Sequence, residues 1–170
     1  MLSVDGYRVR ECIHETPHSA VYTGRRISDG LRVVLKLYRG GEEVGATGRA
    51  LREHELLQRI QHEGVVRAVE ARADGDRHIL VVEHAPGKPL SDSVDGRRFT
   101  VAQVLQIALG IAHGLAAVHD ARVIHKDLKP GNILIDLDRL STRLIDFGIS
   151  AEFGRAERTQ APERLEGTMR

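Results

Sequence analysis

The chain has a single cysteine, Cys12, which excludes a disulfide framework and a multi-thiolate metal site. It has almost no net charge, with 25 Lys+Arg against 24 Asp+Glu giving +1. That balance excludes the strong basic field of a nucleic-acid binder. No internal repeat and no low-complexity tract is present. No basic-then-apolar leader follows Met1, because Asp5 and Arg8 interrupt it at once. The expectation is a cytoplasmic globular protein of 170 residues, enough for one core or two small lobes.

One stretch lacks charge altogether. Phe99 to His119 contains no Asp, Glu, Lys or Arg and is long enough to raise the question of a membrane span. Gln103, Gln106, Gly110, His113 and Ala117 recur at a spacing of three to four, drawing one weakly polar stripe along a helix. Val101, Val104, Leu105, Ala108, Ile111, Ala112, Leu115 and Val118 fill the other side. Two glutamines and a histidine at mid-span are costly in lipid, so the reading is a largely buried core helix and no membrane segment.

The first half reads as strands and turns. Tyr7–Ile13 and Ser19–Arg26 are β-runs, and Leu31–Tyr38 follows the turn signal Ser28-Asp29-Gly30. A connector with Gly40, Gly41, Gly45 and Gly48 leads to a helix from about Arg49 to Gln61, its apolar side carrying Leu56, Leu57 and Ile60. Strands Val66–Arg72 and Arg77–His84 flank Asp74-Gly75. After a Pro/Gly-dense connector at 85–88 the chain turns helical through about Asp120. Short apolar pieces follow at Val123-Ile124, Ile133-Leu134-Ile135 and Arg143-Leu144-Ile145. Residues 149–170 show no periodicity and read as a mobile segment.

The chemistry concentrates in His125-Lys126-Asp127-Leu128-Lys129-Pro130-Gly131-Asn132 and in Asp146-Phe147-Gly148, fourteen residues beyond Asn132. Moving a phosphoryl group to a hydroxyl requires a carboxylate beside the hydroxyl, a cation on the phosphate, and oxygen ligands for Mg²⁺. Asp127 fits the first role and Lys129 the second. Asn132 and Asp146 fit the third.

This arrangement resembles the catalytic loop and magnesium-binding triplet of the eukaryotic-type (Hanks-type) Ser/Thr protein kinases, bacterial ones in particular. Val33-Val34-Leu35-Lys36 is similar to the family's lysine-bearing third strand. Glu53, four residues before Leu57, stands where the helix partner of that lysine belongs, whereas Glu55 points to solvent. Leu80-Val81-Val82-Glu83-His84-Ala85-Pro86-Gly87 resembles the fifth strand and hinge. Gly167-Thr168 matches the start of the substrate-docking loop. The resemblance implies an α+β kinase fold: a five-stranded N-lobe with one helix (residues 1–85) and the first part of a helical C-lobe (86–170). It further implies ATP and Mg²⁺ as cofactors and a protein as substrate. Asp127 and Lys129 would be catalytic, with Asn132 and Asp146 on the metal. ATP would contact Ile13, Val21, Val34, Lys36, Glu53, Val82, Glu83, Ala85 and Leu134. His125 is expected to be structural, and the other histidines lack zinc-ligand spacing.

Three departures from the family pattern stand out. His14, Thr16 and Ser19 replace the three glycines of the phosphate-covering loop, and Pro17 has no N–H to offer. Val34 replaces the usual alanine over the adenine, and Lys126 replaces an arginine that would clamp a phosphorylated activation loop, for which Thr159 is the expected site. Third, the pattern continues beyond Arg170. The expectation is therefore a fragment of a longer chain, fused to or associated with further signalling domains, with an exposed apolar patch on the long helix. Alternative readings are a nucleotide-binding pseudokinase or regulatory module, and a small-molecule phosphotransferase.

Overall fold

Period-two alternation decides the first half of the molecule. Residues 3–39, 45–74, 77–94 and 98–152 are described by the computed structural model. They fall into two units, residues 1–59 with 66–84, and residues 60–65 with 85–170.

The first unit is built on five antiparallel strands: β1 (Tyr7–Glu15), β2 (Ser19–Arg26), β3 (Arg32–Tyr38), β4 (Ala68–Asp74) and β5 (Arg77–Glu83), in the order β1-β2-β3-β5-β4. On one face Val33, Leu35 and Leu37 of β3 join Ile79 and Val81 of β5, with Val4, Tyr7 and Val9 completing a buried cluster. The alternate residues Val34, Lys36 and Tyr38 lie on the opposite face. The helix α1 (Gly45–Arg59) packs on β3, β4 and β5 and buries Leu56 and Leu57, while Glu55 is exposed. The Ser28–Gly30 turn closes as its residue types dictate. Asp29 accepts from the Leu31 amide at 3.0 Å, and Gly30 takes the left-handed conformation. Of the Asp74-Gly75 signal, Asp74 pairs with Arg77 across the hairpin, and Gly75 lies outside the described residues.

The second unit contains β6 (Lys88–Pro89), α2 (Leu90–Val94), α3 (Val101–Asp120), β7 (Val123–Ile124), a 3₁₀ turn at Pro130–Asn132, β8 (Ile133–Asp136), β9 (Ser141–Leu144) and β10 (Ala151–Glu152). β6, β8 and β9 form one sheet, and β7 pairs with β10. Residues 60–65 add to this unit. Val65 bridges Leu144, and the Leu144 amide donates to Gly64 O at 2.8 Å.

The long helix starts on a capping box. Thr100 Oγ1 accepts from the Gln103 amide, and Gln103 Oε1 accepts from the Thr100 amide. Its packing corrects the reading of a largely buried helix. Only Ile107, Gly114 and Val118 are buried, whereas Val101 is 77 % exposed and Leu105 and Leu109 are each 58 % exposed. The inward stripe is also rotated from the expected one. Gly110, on the weakly polar stripe, and Gly114, which the sequence pattern assigns to neither side, sit at the closest approach to β9: a Cβ on Gly110 would meet Thr142 Oγ1 at 2.6 Å. Small residues draw the backbones together, so size rather than polarity selects the packed face.

The mobile reading of residues 149–170 is corrected over its first part. Ser150 is buried, its hydroxyl donating to His125 O at 3.0 Å, and Ala151–Glu152 pair with β7. Residues 153–170, including Thr159, Gly167 and Thr168, lie outside the described residues.

Candidate active site

In the first unit, the register of β3 assembles one set of groups. Val21 of β2 lies opposite Lys36, and Val34 lies opposite Val82 of β5, so these four side chains share the sheet face of Lys36. Lys36 Nζ donates to Glu53 Oε2 at 3.0 Å and to Oε1 at 3.3 Å. Glu53 is 3 % exposed, so its charge is buried and requires partners. A second donor reaches it, the hydroxyl of Tyr38 on Oε2. Burial, and then the negative charge of Glu53, push the Tyr38 hydroxyl well above its ordinary range.

The remaining candidates of this unit are more dispersed. Ile13 is exposed on β1. The Glu83 amide donates to Arg67 O at 2.9 Å, so it is not a donor for a ligand. Ala85 and Leu134 fall in the second unit, the first buried and the second half-buried on β8.

The second unit brings Asp127, Lys129 and Asn132 together. Lys129 Nζ donates to Asp127 Oδ2 at 2.7 Å, and Asn132 Nδ2 donates to both Oδ2 and the main-chain oxygen of Asp127 at 2.9 Å. Pro130 opens the 3₁₀ turn that places Asn132 five residues from Asp127, and Asn132 is buried. With its nitrogen committed to Asp127, the group Asn132 offers a metal is its amide oxygen.

His125 braces this loop from beneath. Its Nε2 contacts Ile145 O at 3.0 Å, an acceptor only, so Nε2 carries the hydrogen, and Nδ1 accepts from the Asp127 amide at 3.3 Å. Burial holds the imidazole below its usual pKa, which suits this neutral bridging role. The ring packs on Phe147 at 4.6 Å between centroids. The Ile145 amide donates to Asn132 O at 3.0 Å, tying the Asp146 segment to the Asp127 loop through main chain.

Asp146 is exposed and has φ 64, and Lys126 has φ 66, so two neighbours of these groups hold the sparsely populated left-handed conformation. Among the described residues no three His, Cys, Asp or Glu side chains form a metal cage. An amide oxygen and a carboxylate on tied loops suit Mg²⁺ shared with phosphate oxygens, since that ion is seldom held by protein alone.

The protein kinase domain family matches residues 7–169 of the chain. The chain belongs to that family. It is 34 % identical over 154 residues to the serine/threonine-protein kinase pkn2 of Myxococcus xanthus, a match covering 88 % of the chain and 19 % of that protein. It is 33 % identical over 158 residues to a probable leucine-rich repeat receptor-like protein kinase of Arabidopsis thaliana, covering 89 % and 16 %. The chain thus spans less than a fifth of the length of these curated relatives. The α+β kinase fold expected from the sequence stands, with its five-stranded antiparallel sheet and few helices.

Within the kinase domain, the turn that replaces the glycine-rich loop is closed on itself. Thr16 Oγ1 accepts from the Ser19 amide at 3.0 Å and the His18 amide at 3.3 Å, and the Thr16 amide donates to Ser19 O at 2.8 Å. Glu15 does not stand as a bare charge, because it pairs with Arg39, which also donates to Thr16 O at 3.4 Å. Tyr38, Arg39 and the role of Thr16 escape motif reading. For Tyr38 the available signal was its place two residues beyond Lys36, on the same side of a strand.

Proposed function

We propose that the chain carries the ATP- and Mg²⁺-dependent phosphotransfer site of a Ser/Thr protein kinase acting on a protein hydroxyl. The observation that carries this is the convergence of Lys129 and Asn132 on one oxygen of Asp127. That convergence orients a carboxylate beside a cation and an amide oxygen, the set phosphoryl transfer to a hydroxyl needs. Asp127 accepts the proton of the substrate hydroxyl as its oxygen bonds to the γ-phosphorus and ADP departs. Lys129 stabilises charge on the transferring group as a point cation. Bound through Asn132 and Asp146, Mg²⁺ would neutralise phosphate charge.

In the first unit Lys36, held by Glu53, is assigned to the α/β-phosphates. Ile13, Val21, Val34 and Val82 are assigned to the apolar surroundings of the adenine, and Glu83 to its edge. Ala85 and Leu134 carry the corresponding hinge and floor roles in the second unit.

α3 is long and apolar enough to cross a membrane. Its seating on β9 through Gly110 and Gly114 supports a helix packed within the kinase domain instead. The length of the relatives supports fusion to further signalling domains.

The test is transfer of γ-phosphate from Mg-ATP to a generic protein substrate, by the 170-residue chain and by any longer protein that contains it. Transfer lost in Asp127→Asn is the expected result. The self-closed turn at Thr16 favours a second reading, a nucleotide-binding pseudokinase, and Mg-ATP binding with no transfer by either protein would establish it.

A further inference from the structure

Tyr38 has no part in the motif that singles out Lys36 and Glu53, yet it contacts both. Its hydroxyl, on a side chain only 6 % exposed, donates to Glu53 Oε2, the same oxygen that Lys36 Nζ approaches at 3.0 Å. Its ring lies under the same ammonium, 5.2 Å from Nζ to centroid. β3 places Lys36 and Tyr38 on one face, and α1 brings Glu53 down onto them, so three side chains from two elements form one network.

A buried carboxylate draws on every donor it can reach. With the Tyr38 hydroxyl on Oε2, Glu53 is held from two sides, and the Lys36 ammonium is not required to satisfy that charge alone. Without the hydroxyl, the lysine is drawn more fully onto the carboxylate and away from any anion it should meet. The hydroxyl stays protonated across the working range of pH, since burial and the charge of Glu53 raise its pKa.

We propose that Tyr38 is a positioning residue that frees and aims the Lys36 ammonium toward nucleotide phosphate by sharing the charge of Glu53. This rests on the reading of Lys36 as a phosphate ligand, and the experiment separates the two.

Affinities of Mg-ATP and of adenosine are measured by calorimetry on the wild-type chain, Tyr38→Phe, Lys36→Ala and the double variant. Tyr38→Phe should weaken Mg-ATP about tenfold, the order of one hydrogen bond to a charged group, and leave adenosine unchanged. In the Lys36→Ala background, Tyr38→Phe should have no further effect on Mg-ATP. An equal loss of adenosine and Mg-ATP in Tyr38→Phe would make Tyr38 a residue of the fold alone and overturn the proposal. So would an undiminished effect in the Lys36→Ala background. If Lys36→Ala lowers Mg-ATP affinity relative to adenosine and Tyr38→Phe does not, the Tyr38 proposal fails and the phosphate role of Lys36 survives. If Lys36→Ala leaves that ratio unchanged, both fall.

Discussion

Gly64 and Gly114 meet backbone to backbone: a Cβ built on Gly114 would lie 2.9 Å from the carbonyl oxygen of Gly64. That carbonyl is already the acceptor of the Leu144 amide, so it cannot retreat without loosening the Val65–Leu144 bridge. Gly114→Ala is expected to destabilise the chain by about 1–3 kcal/mol through overpacking. Gly48→Ala makes the same chemical change in α1, where a Cβ meets nothing within 4 Å, and should be neutral or stabilising by up to about 1 kcal/mol. Urea unfolding midpoints of the two variants should move in opposite directions or, at the least, only the first should fall.

Asn132 serves Asp127 with its nitrogen and, on the proposed reading, Mg²⁺ with its oxygen. Asn132→Ala removes both and should raise the Mg²⁺ concentration needed for nucleotide binding by about 10–100-fold. Titration of Mg²⁺ at fixed ATP checks it. Binding of metal-free adenosine should not change.

The Thr16 side chain occupies two amides of the turn between β1 and β2. Thr16→Gly releases them and permits positive φ. One amide turned to phosphate is worth a net hydrogen bond, so Mg-ATP affinity should rise about 2–10-fold while adenosine affinity stays fixed. Unaltered ATP affinity would show that the turn does not reach the phosphates.

His125 is held neutral by burial, its pKa below the ordinary imidazole value of 6.5. An unfolded chain takes up a proton there near pH 6.5, before the folded chain does. Its contribution to stability is therefore complete above that pH and is lost as pH falls from 6.5 toward the lower folded value. His84, lowered by burial and by Arg32, acts with the same sign. The slope of unfolding free energy between pH 7.5 and 5.5 should flatten in His125→Gln, with the His84 share remaining.

Local pattern carried the fold a long way. The turn residues on either side bound β2 at Ser19–Arg26, as the sequence suggests, because Pro17 and Ser28-Asp29-Gly30 stop a strand whatever lies around it. Asp127, Lys129 and Asn132 cluster legibly because they sit within one short loop. What stayed illegible depends on pairing across distance. β10 forms because β7 offers an edge near Ser150, and nothing in Ala151-Glu152 announces it. Hydropathy misplaces the packed side of α3 because it does not register that two glycines permit the closest approach. A tyrosine in a strand commonly reads as packing, and only α1 bringing Glu53 over Tyr38 gives its hydroxyl a task.

The six residues Ile60–Val65 leave the first unit after α1, join the second, and hand the chain back at Val66. No single scission of the backbone can therefore separate the two units. A cut after residue 84 would leave the Leu144 amide without its acceptor on Gly64, and a cut before residue 60 would part β5, with β4 beside it, from β3. The backbone passes from one unit to the other three times, at 59–60, 65–66 and 84–85. Each half-molecule made by dividing it would carry a segment whose pairing partners lie in the other half.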